Sequence, residues 1–268
     1  MTATALWHGK GSTLRDDHGV IATLPMYDRP ETAAANDTLW SSVAKALGTD
    51  PCALTPGISP EVAWADPDLI LSQTCGMPFK LWVKDDARYV ASPDFRLPDT
   101  PPGYYHSVII ARADDPRPAS DLLCARPIIN QDHSQSGYNA LWVYANARGT
   151  PLGSVLVSGS HHASAKAVAE NTADVAAIDA NTWRMITRWD LFATRLKVLA
   201  RTPPTPAMPF ICGPAQDPLC IRNALAEAIK TLTQEQQNTL GLYGLIVLSV
   251  DNYLAVPLPP NAQIAPTT

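Results

Sequence analysis

The sequence contains few charged residues and no cluster of basic ones. Asp, Glu, Lys and Arg make up 17% of its 268 residues, and the formal net charge is −5 with a pI of about 5.6. Proteins that bind nucleic acids or membrane surfaces usually carry a basic patch that neutralises phosphates. The scattered Lys and Arg residues therefore predict neither kind of partner.

Long hydrophobic runs are also absent. The most apolar segments, residues 108–111 and 245–250, have the length of strands, so no direct membrane insertion is expected. Residues 1–19 are polar and lack the apolar core of a secretory signal. On this sequence we expect a cytoplasmic protein, or a periplasmic one whose export segment has been removed.

Sequence motifs for metals, nucleotides and nucleophilic serines are lacking. The five cysteines form no CxxC, and there is no GxSxG, HExxH, Walker or dinucleotide-type glycine motif. No metal or cofactor is therefore expected. Cys212 and Cys220 flank a short proline-rich loop and could form a disulfide, but two free thiols are the expectation.

Two polar turns follow predicted strands and precede predicted helices. The first turn, residues 134–137, reads Ser-Gln-Ser-Gly, and the second turn, residues 158–162, reads Ser-Gly-Ser-His-His. Hydroxyls and unpaired backbone N–H groups at a helix start attract phosphates and carboxylates. One such turn can be a plain N-cap, whereas two in neighbouring β-α units predict a ligand cleft.

Alternating strands and helices predict an α/β fold with mostly parallel sheets. Proline-rich breaks at 101–103 and 202–206 predict that the chain leaves one lobe and later returns to it. The predicted units are an N-terminal extension (1–19), a discontinuous first lobe (20–103 plus 203–268) and an inserted second lobe (104–202). The strands expected from the pattern include 19–25, 68–71, 104–112 and a last extended element at 245–250.

Five segments carry a family resemblance. They are LPMYD (24–28), DLILSQTCG (68–76), PGYYHSV (102–108), SQSGY (134–138), and GSH (159–161) leading to DVAAID (174–179). Together they resemble the phosphate/phosphonate-type substrate-binding proteins of ABC importers, from residue 20 to about residue 253. The resemblance implies a type 2 periplasmic-binding-protein fold, with two α/β lobes, two hinge crossings and a ligand held between the lobes.

The resemblance also implies a set of anion contacts. Phosphonate binders of that family use a Ser-Thr-Ser-Gly turn, and Ser134, Gln135, Ser136 and Gly137 stand there in this sequence, with an amide replacing the middle hydroxyl. The family's pocket histidine corresponds to His161, which could instead cap its own helix or be a buried, satisfied histidine. The family's tyrosine at a strand end is replaced, since Gln73 or the serine before it occupies that place.

Further candidates follow other strand ends: Tyr27, Asp28, Gln73, Thr74, Asp179 and Trp183. Tyr27 could pack on a ligand or donate its hydroxyl, and Gln73 and Thr74 could complete the site from the other lobe. Asp28 and Asp179 could either cap helices or accept from a ligand amine. Trp183 would then cover an apolar or cationic part of the ligand.

The sequence therefore predicts a binding protein rather than an enzyme. We expect a small, phosphonate- or phosphate-like anion that carries an amine, bound by a monomer that serves an ABC-type uptake system, with a permease as partner, or a related sensor. The alternative is a cytosolic lyase or decarboxylase on the same fold. Ser136, His161 and Asp179 contain triad chemistry, but nothing in the sequence places the serine against the histidine.

Overall fold

The computed structural model describes residues 21–49, 53–260 and 262, so the predicted N-terminal extension lies outside the described residues. One sheet has four strands in the order β1 (Ser72–Gln73), β10 (Phe210–Cys212), β2 (Arg88–Asp94) and β11 (Gly244–Ile246). All its neighbouring strands pair antiparallel. We call this sheet and the helices packed on it the first lobe.

A second sheet has five strands. Their order is β6 (Leu156–Val157), β5 (Pro127–Ile129), β7 (Val175–Asp179), β4 (Ser107–Arg112) and β8 (Leu196–Arg201). β5 runs parallel to β6 and β7, whereas β4 pairs antiparallel with β7 and β8. This sheet and its helices form the second lobe.

The prediction of mostly parallel sheets is wrong. Among the described strand pairs only β5 with β6 and β5 with β7 run parallel. The physical reason lies in the connection between the lobes: β4 brings the chain into the second sheet and β8 takes it out. These two strands lie side by side in opposite directions, which is the geometry of a chain that enters and leaves at one end of the sheet.

A separate two-stranded ribbon, β3 (Tyr104–Tyr105) with β9 (Thr205–Pro206), lies at the crossings between the lobes. β3 directly follows the first proline-rich break of the sequence, and β9 lies within the second. The fold is thus two-lobed α/β, as predicted. The exact lobe boundaries proposed from the sequence stay predictions.

Helices cover the first sheet. They are α1 (Ala33–Leu47), α2 (Pro60–Trp64), α3 (Gly76–Pro78), α4 (Lys84–Asp86), α9 (Pro218–Thr231), α10 (Gln234–Leu240) and α11 (Val250–Leu254). The longest, α1, buries Leu39, Trp40 and Val43 in the core that α9 shares, and ends at Gly48, whose φ of 70° a residue with a side chain rarely adopts.

Helices cover both faces of the second sheet. They are α5 (Ala119–Ala125), α6 (Ala140–Asn146), α7 (His161–Ala169) and α8 (Ala180–Trp189). Along β4, Val108 and Ile110 pack toward α7 and α8, whereas Ile109 and Ala111 pack toward α5 and α6. Successive strand residues point to opposite faces, so a strand covered on both sides is apolar throughout.

Several predicted strands differ from the structure. Residues 21–25 contribute only an isolated bridge between Ala22 and Leu71, because Pro25 starts a 3₁₀ turn. The predicted strand 68–71 is displaced to β1. The predicted strand 104–112 is divided between β3 and β4 at His106, which belongs to neither sheet. The last predicted strand ends at Ile246, and Ser249 then caps α11 with its hydroxyl.

Candidate functional site

A cleft of about 260 Å³ lies between the two lobes. From the first lobe its wall includes Tyr27, the residues that follow it and Cys75, and from the second lobe it includes the first and second turns. Both turns therefore reach the same space, as the sequence predicts. The carboxyl ends of β5 and β7 lead to it, which is where α/β sheets place ligands.

The backbone N–H groups of the first turn donate to acceptors within the protein. Ser134 caps the helical segment by accepting from the amide of Gly137 at 3.0 Å. The amide of Gln135 donates across the cleft to Sγ of Cys75 at 3.2 Å. A Cβ on Gly137 would collide with Oδ1 of Asn130, so any larger residue there would displace the Asn130 side chain. In the first turn, protein acceptors therefore already occupy backbone donors that an anion could otherwise use.

The second turn leaves its helix start open to the cleft. Ser160 caps α7 by accepting from the amide of Ala163 at 3.1 Å. The N–H groups in the first turn of a helix have no acceptor within the helix. Among the hydrogen bonds of the described residues, none has the amide of His161 or His162 as donor. These two N–H groups and the helix dipole form the strongest anion-seeking feature of the wall.

Ser136 and His161 connect the two turns. Oγ of Ser136 lies 2.6 Å from Nε2 of His161, so one of these atoms donates to the other. Burial lowers the pKa of His161 to about 4, and the Ala177 backbone opposes this shift only in part. The imidazole is consequently neutral at pH 7, and the pair is a polar, uncharged group in the cleft wall.

The Ser136–His161 contact is one that the sequence did not predict, but it does not complete a catalytic triad. Nδ1 of His161 is buried without a hydrogen-bond partner, so no carboxylate orients the ring. Asp179 instead caps α8, where its Oδ1 accepts from the amide of Thr182 at 2.7 Å. A nucleophilic serine needs a base that a third group holds in place.

Asp179 also connects the lobes. Its Oδ2 lies 3.3 Å from the hydroxyl of Tyr27, which is 3.0 Å from Sδ of Met208. Burial raises the pKa of Asp179 to about 6, although the Thr182 amide and the Tyr27 hydroxyl favour the ionised form. Burial and the neighbouring Asp179 raise the pKa of Tyr27. The carboxyl group is therefore committed to protein contacts.

Charged groups surround the start of α7. Arg29 of the first lobe forms an ion pair with Asp190 of the second lobe at 2.9 Å, and both side chains are largely buried. Nε2 of the exposed His162 lies 3.0 Å from the other oxygen of Asp190. Arg29 also contacts Glu31 at 3.0 Å. This network joins the lobes beside the open helix start and brings a guanidinium to the cleft wall.

The structure brings only part of the predicted site together. Five predicted residues line the cleft: Tyr27, Asp28, Ser134, Ser136 and His161. The other six lie outside its wall: Gln73, Thr74, Gln135, Gly137, Asp179 and Trp183.

The predicted side chains that lie outside the cleft wall make other contacts within the protein. Gln73 is buried and donates to the carbonyl of Met208 at 3.0 Å, and Thr74 is fully buried. Trp183 packs against the hydrophobic core of the second lobe. Gln135 accepts from Asn139 on the side of its helix away from the cleft. The capping alternative for Asp28 is also excluded, because Thr32 is the residue before α1.

Sequence reasoning missed several residues of the wall. They are Arg29, Glu61, Cys75, Asn130, His133, Ser160, His162 and Thr182. Arg29 and Cys75 could have been found from the sequence, because they directly follow the predicted site residues Asp28 and Thr74. Glu61 could not, because it belongs to a short helix far from both turns along the chain.

In the part of the chain that the structure describes, no three His, Cys, Asp or Glu side chains converge in a manner suited to a metal ion. None of the helices there combines the length and the apolar character that a membrane crossing needs. The thiols of Cys212 and Cys220 are free, in agreement with the expectation.

Comparison with known proteins identifies the family. Residues 70–249 match the model of the family described as ABC transporter, phosphonate, periplasmic substrate-binding protein. The chain belongs to this family. Its members are substrate-binding components of transporters and not enzymes, which sets aside the lyase or decarboxylase alternative. No curated protein matches the sequence.

Solved structures with the same fold include phosphonate-binding proteins. PhnD1 from Prochlorococcus marinus, in complex with methylphosphonate, has a TM-score of 0.70 at 14% identity, covering 87% of this chain and 93% of that one. The phosphonate-transporter binding protein PA3383 from Pseudomonas aeruginosa has a TM-score of 0.64 at 17% identity, covering 88% and 83%. A histidine kinase sensor domain has a TM-score of 0.55 at 15% identity, covering 87% and 100%. These similarities confirm the two-lobed periplasmic-binding-protein fold.

Proposed function

We propose that the cleft of this phosphonate-family protein binds a small oxyanion at the start of α7, beside Ser136 and His161. The observation that carries the proposal is the meeting of two kinds of donor at one place: the open amides of His161 and His162, and the Ser136 hydroxyl, whose Oγ lies 2.6 Å from Nε2 of His161. A phosphonate or phosphate offers several acceptor oxygens, so it can engage these donors together.

The site can attract an anion although no fully charged cation lies at its centre. His161 is neutral at pH 7, because burial lowers its pKa to about 4. The attraction then comes from the dipole of α7, from neutral hydrogen-bond donors and from the nearby guanidinium of Arg29. Arg29 already shares its charge with Glu31 and Asp190, so it contributes through space rather than as an unpaired cation.

The far side of the cleft is suited to an amine on the same ligand. Asp28 and Glu61 lie in the wall, and Asp28 is exposed. Of the two carboxylates that the sequence offered for this role, Asp28 remains, since Asp179 is fully buried between Thr182 and Tyr27. An amine-bearing phosphonate would place its anion at α7 and its ammonium toward Asp28.

Calorimetric titration of the protein with matched anions tests this function. We expect methylphosphonate or phosphate to bind, and aminomethylphosphonate to bind more tightly than ethylphosphonate, which has the same shape without the charge. Ser136→Ala should weaken binding roughly 10- to 150-fold, because a neutral donor to a charged acceptor is worth about 1.5–3 kcal/mol. The control is Ser41→Ala, an exposed serine on α1. If Ser136→Ala binds as tightly as the wild type, the proposed site is wrong.

The biological setting follows from the family and is part of the proposal. We infer that the protein works in the periplasm as a monomer that delivers its ligand to an ABC permease, with a sensor role as the second candidate. The likeness to a kinase sensor domain supports the second candidate. Stimulation of ATP hydrolysis in a reconstituted permease complex by the loaded protein would support transport, and its absence with the cognate permease would favour the sensor.

A further inference from the structure

The side chain of Arg29 reaches from the first lobe to the end of α8 in the second lobe. Its guanidinium lies 2.9 Å from Oδ2 of Asp190 and 5.3 Å from the centre of the Trp189 ring. The side chains of Arg29 and Asp190 are only 14% and 15% exposed. Water and salt therefore weaken this ion pair less than a pair on the open surface, and the ring adds a cation–π attraction. The contact favours the arrangement in which the lobes meet.

The position of the contact along α8 determines how it responds to lobe motion. The start of α8 lies beside the hinge, because Ala180 packs in one hydrophobic cluster with Tyr105 of the ribbon strand β3. Asp190 follows the last residue of α8, so about 15 Å of helix separates it from that start. A rotation about the ribbon displaces a contact in proportion to its distance from the ribbon. Opening of the cleft therefore breaks the Arg29–Asp190 pair while contacts beside the hinge can persist.

Each member of the pair has a second partner within its own lobe. Glu31 contacts the Arg29 guanidinium at 3.0 Å and stands two residues away in the first lobe. Nε2 of His162 lies 3.0 Å from the other oxygen of Asp190, within the second lobe. Both charges therefore keep a partner when the lobes separate, and neither is left buried alone, which would be costly. The pair can thus break and form again as the lobes move.

We propose that Arg29 and Asp190 form a latch that keeps the lobes closed before a ligand arrives and so limits how fast a ligand enters the cleft. The pair consists of protein side chains alone, so it can form whether or not the cleft is occupied. A ligand enters only while the latch is open. Without the latch the closed fraction falls, and the apparent dissociation constant rises in inverse proportion to that fraction.

Pulsed electron paramagnetic resonance on two native thiols measures the opening directly. Cys124 on α5 and Cys220 on α9 are exposed and stand on different lobes, whereas the two other described cysteines are buried. Cys52→Ser removes the fifth thiol of the sequence. Spin labels on the exposed pair then report the distance between the lobes. We expect one main distance in the ligand-free protein, because the latch holds it closed.

Three variants assign the opening to the latch. Asp190→Asn should add a second distance, shown by roughly two thirds of the ligand-free molecules. Glu31→Gln is the matched control, because it removes an ion pair from the same guanidinium without crossing the cleft, and it should keep the wild-type distance. Arg29→Gln combined with Asp190→Asn should open no further than Asp190→Asn alone. The proposal is overturned if Asp190→Asn keeps the wild-type distance or if Glu31→Gln opens the protein equally.

Rapid-mixing kinetics with methylphosphonate give a readout that a purely structural role would not change. This part rests on the proposed anion site. Asp190→Asn should bind methylphosphonate faster, because more molecules are open, and about threefold more weakly, because fewer are closed. Tighter binding by Asp190→Asn would mean that Asp190 withholds the Arg29 charge from the ligand, and the latch would be wrong. If wild-type protein does not bind methylphosphonate, the proposed function fails, whereas the ligand-free distances still decide the latch.

Discussion

In the first turn, backbone N–H groups donate to the protein's own Ser134 and Cys75, whereas in the second turn His161 and His162 line the cleft and their amides donate no hydrogen bond within the described residues. The two turns have the same sequence chemistry: a serine cap, a glycine and a following helix. The difference arises from their neighbours, because Cys75 of the first lobe reaches the first turn. A polar helix start therefore indicates an anion site only when no protein acceptor occupies its donors.

The largest effect expected is a pH dependence from two buried groups, His161 of the second turn and Asp179 at the start of α8. The pKa of His161 is lowered to about 4, so its contribution to stability is complete above pH 6.5 and is lost as the pH falls toward 4. The pKa of Asp179 is raised to about 6, so its contribution is complete below pH 3.8 and is lost as the pH rises through 6. Each contribution is roughly 3 kcal/mol, and in the wild type the two oppose each other.

Urea unfolding between pH 7 and pH 4 should separate these contributions. Compared with wild type, His161→Gln should gain unfolding free energy on acidification, because only Asp179 remains. Asp179→Asn, which keeps an acceptor for the Thr182 amide, should lose unfolding free energy on acidification. Ser41→Ala, at an exposed serine on α1, is the control and should follow the wild type. Parallel pH profiles for all four proteins would contradict the assigned burial of both groups.

The next effect distinguishes the two serines of the first turn. Ser136 meets His161 in the cleft, so Ser136→Ala should lose methylphosphonate affinity by about 1.5–3 kcal/mol, and it should also lose about 1–3 kcal/mol of unfolding free energy because Nε2 of His161 is left unpaired. Ser134 caps the turn, so Ser134→Ala should lose about 1 kcal/mol of unfolding free energy. Paired calorimetric and denaturant titrations measure both quantities. If Ser134→Ala weakened binding more than Ser136→Ala, the roles of the two hydroxyls would be reversed.

The sequence predicted features that depend on local pattern, such as the position of the two turns. It also predicted the two lobes and the cleft residues Tyr27, Ser136 and His161. It failed where long-range packing decides. Whether Asp179 faces a ligand or caps α8 depends on how closely Tyr27 approaches from the other lobe. Likewise, the direction of β4 depends on the hinge, and the hydrophobic pattern of its own residues does not indicate that direction.

A smaller effect is expected from the sulfur that fills the first turn. Cys75→Ala removes the acceptor of the Gln135 amide and leaves that N–H free to bind an oxyanion. Because sulfur is a weak acceptor, we expect methylphosphonate affinity to rise by roughly threefold. Calorimetry measures the change, and Cys220→Ala, an exposed thiol, is the control. A loss of affinity would instead mean that the thiol itself contacts the ligand.

A last effect, of similar size, concerns the amine end of the proposed ligand, which lies across the cleft from both turns. Asp28 is exposed, so its ion pair with a ligand ammonium should be worth only about 0.2–1 kcal/mol. Asp28→Asn should therefore lower the preference for aminomethylphosphonate over ethylphosphonate by up to about fivefold. It should leave the affinity for ethylphosphonate itself nearly unchanged, because the anion binds at α7. Asp37→Asn, an exposed aspartate on α1, controls for the change in net charge. An unchanged preference in Asp28→Asn together with a reduced one in Glu61→Gln would move the amine contact to α2.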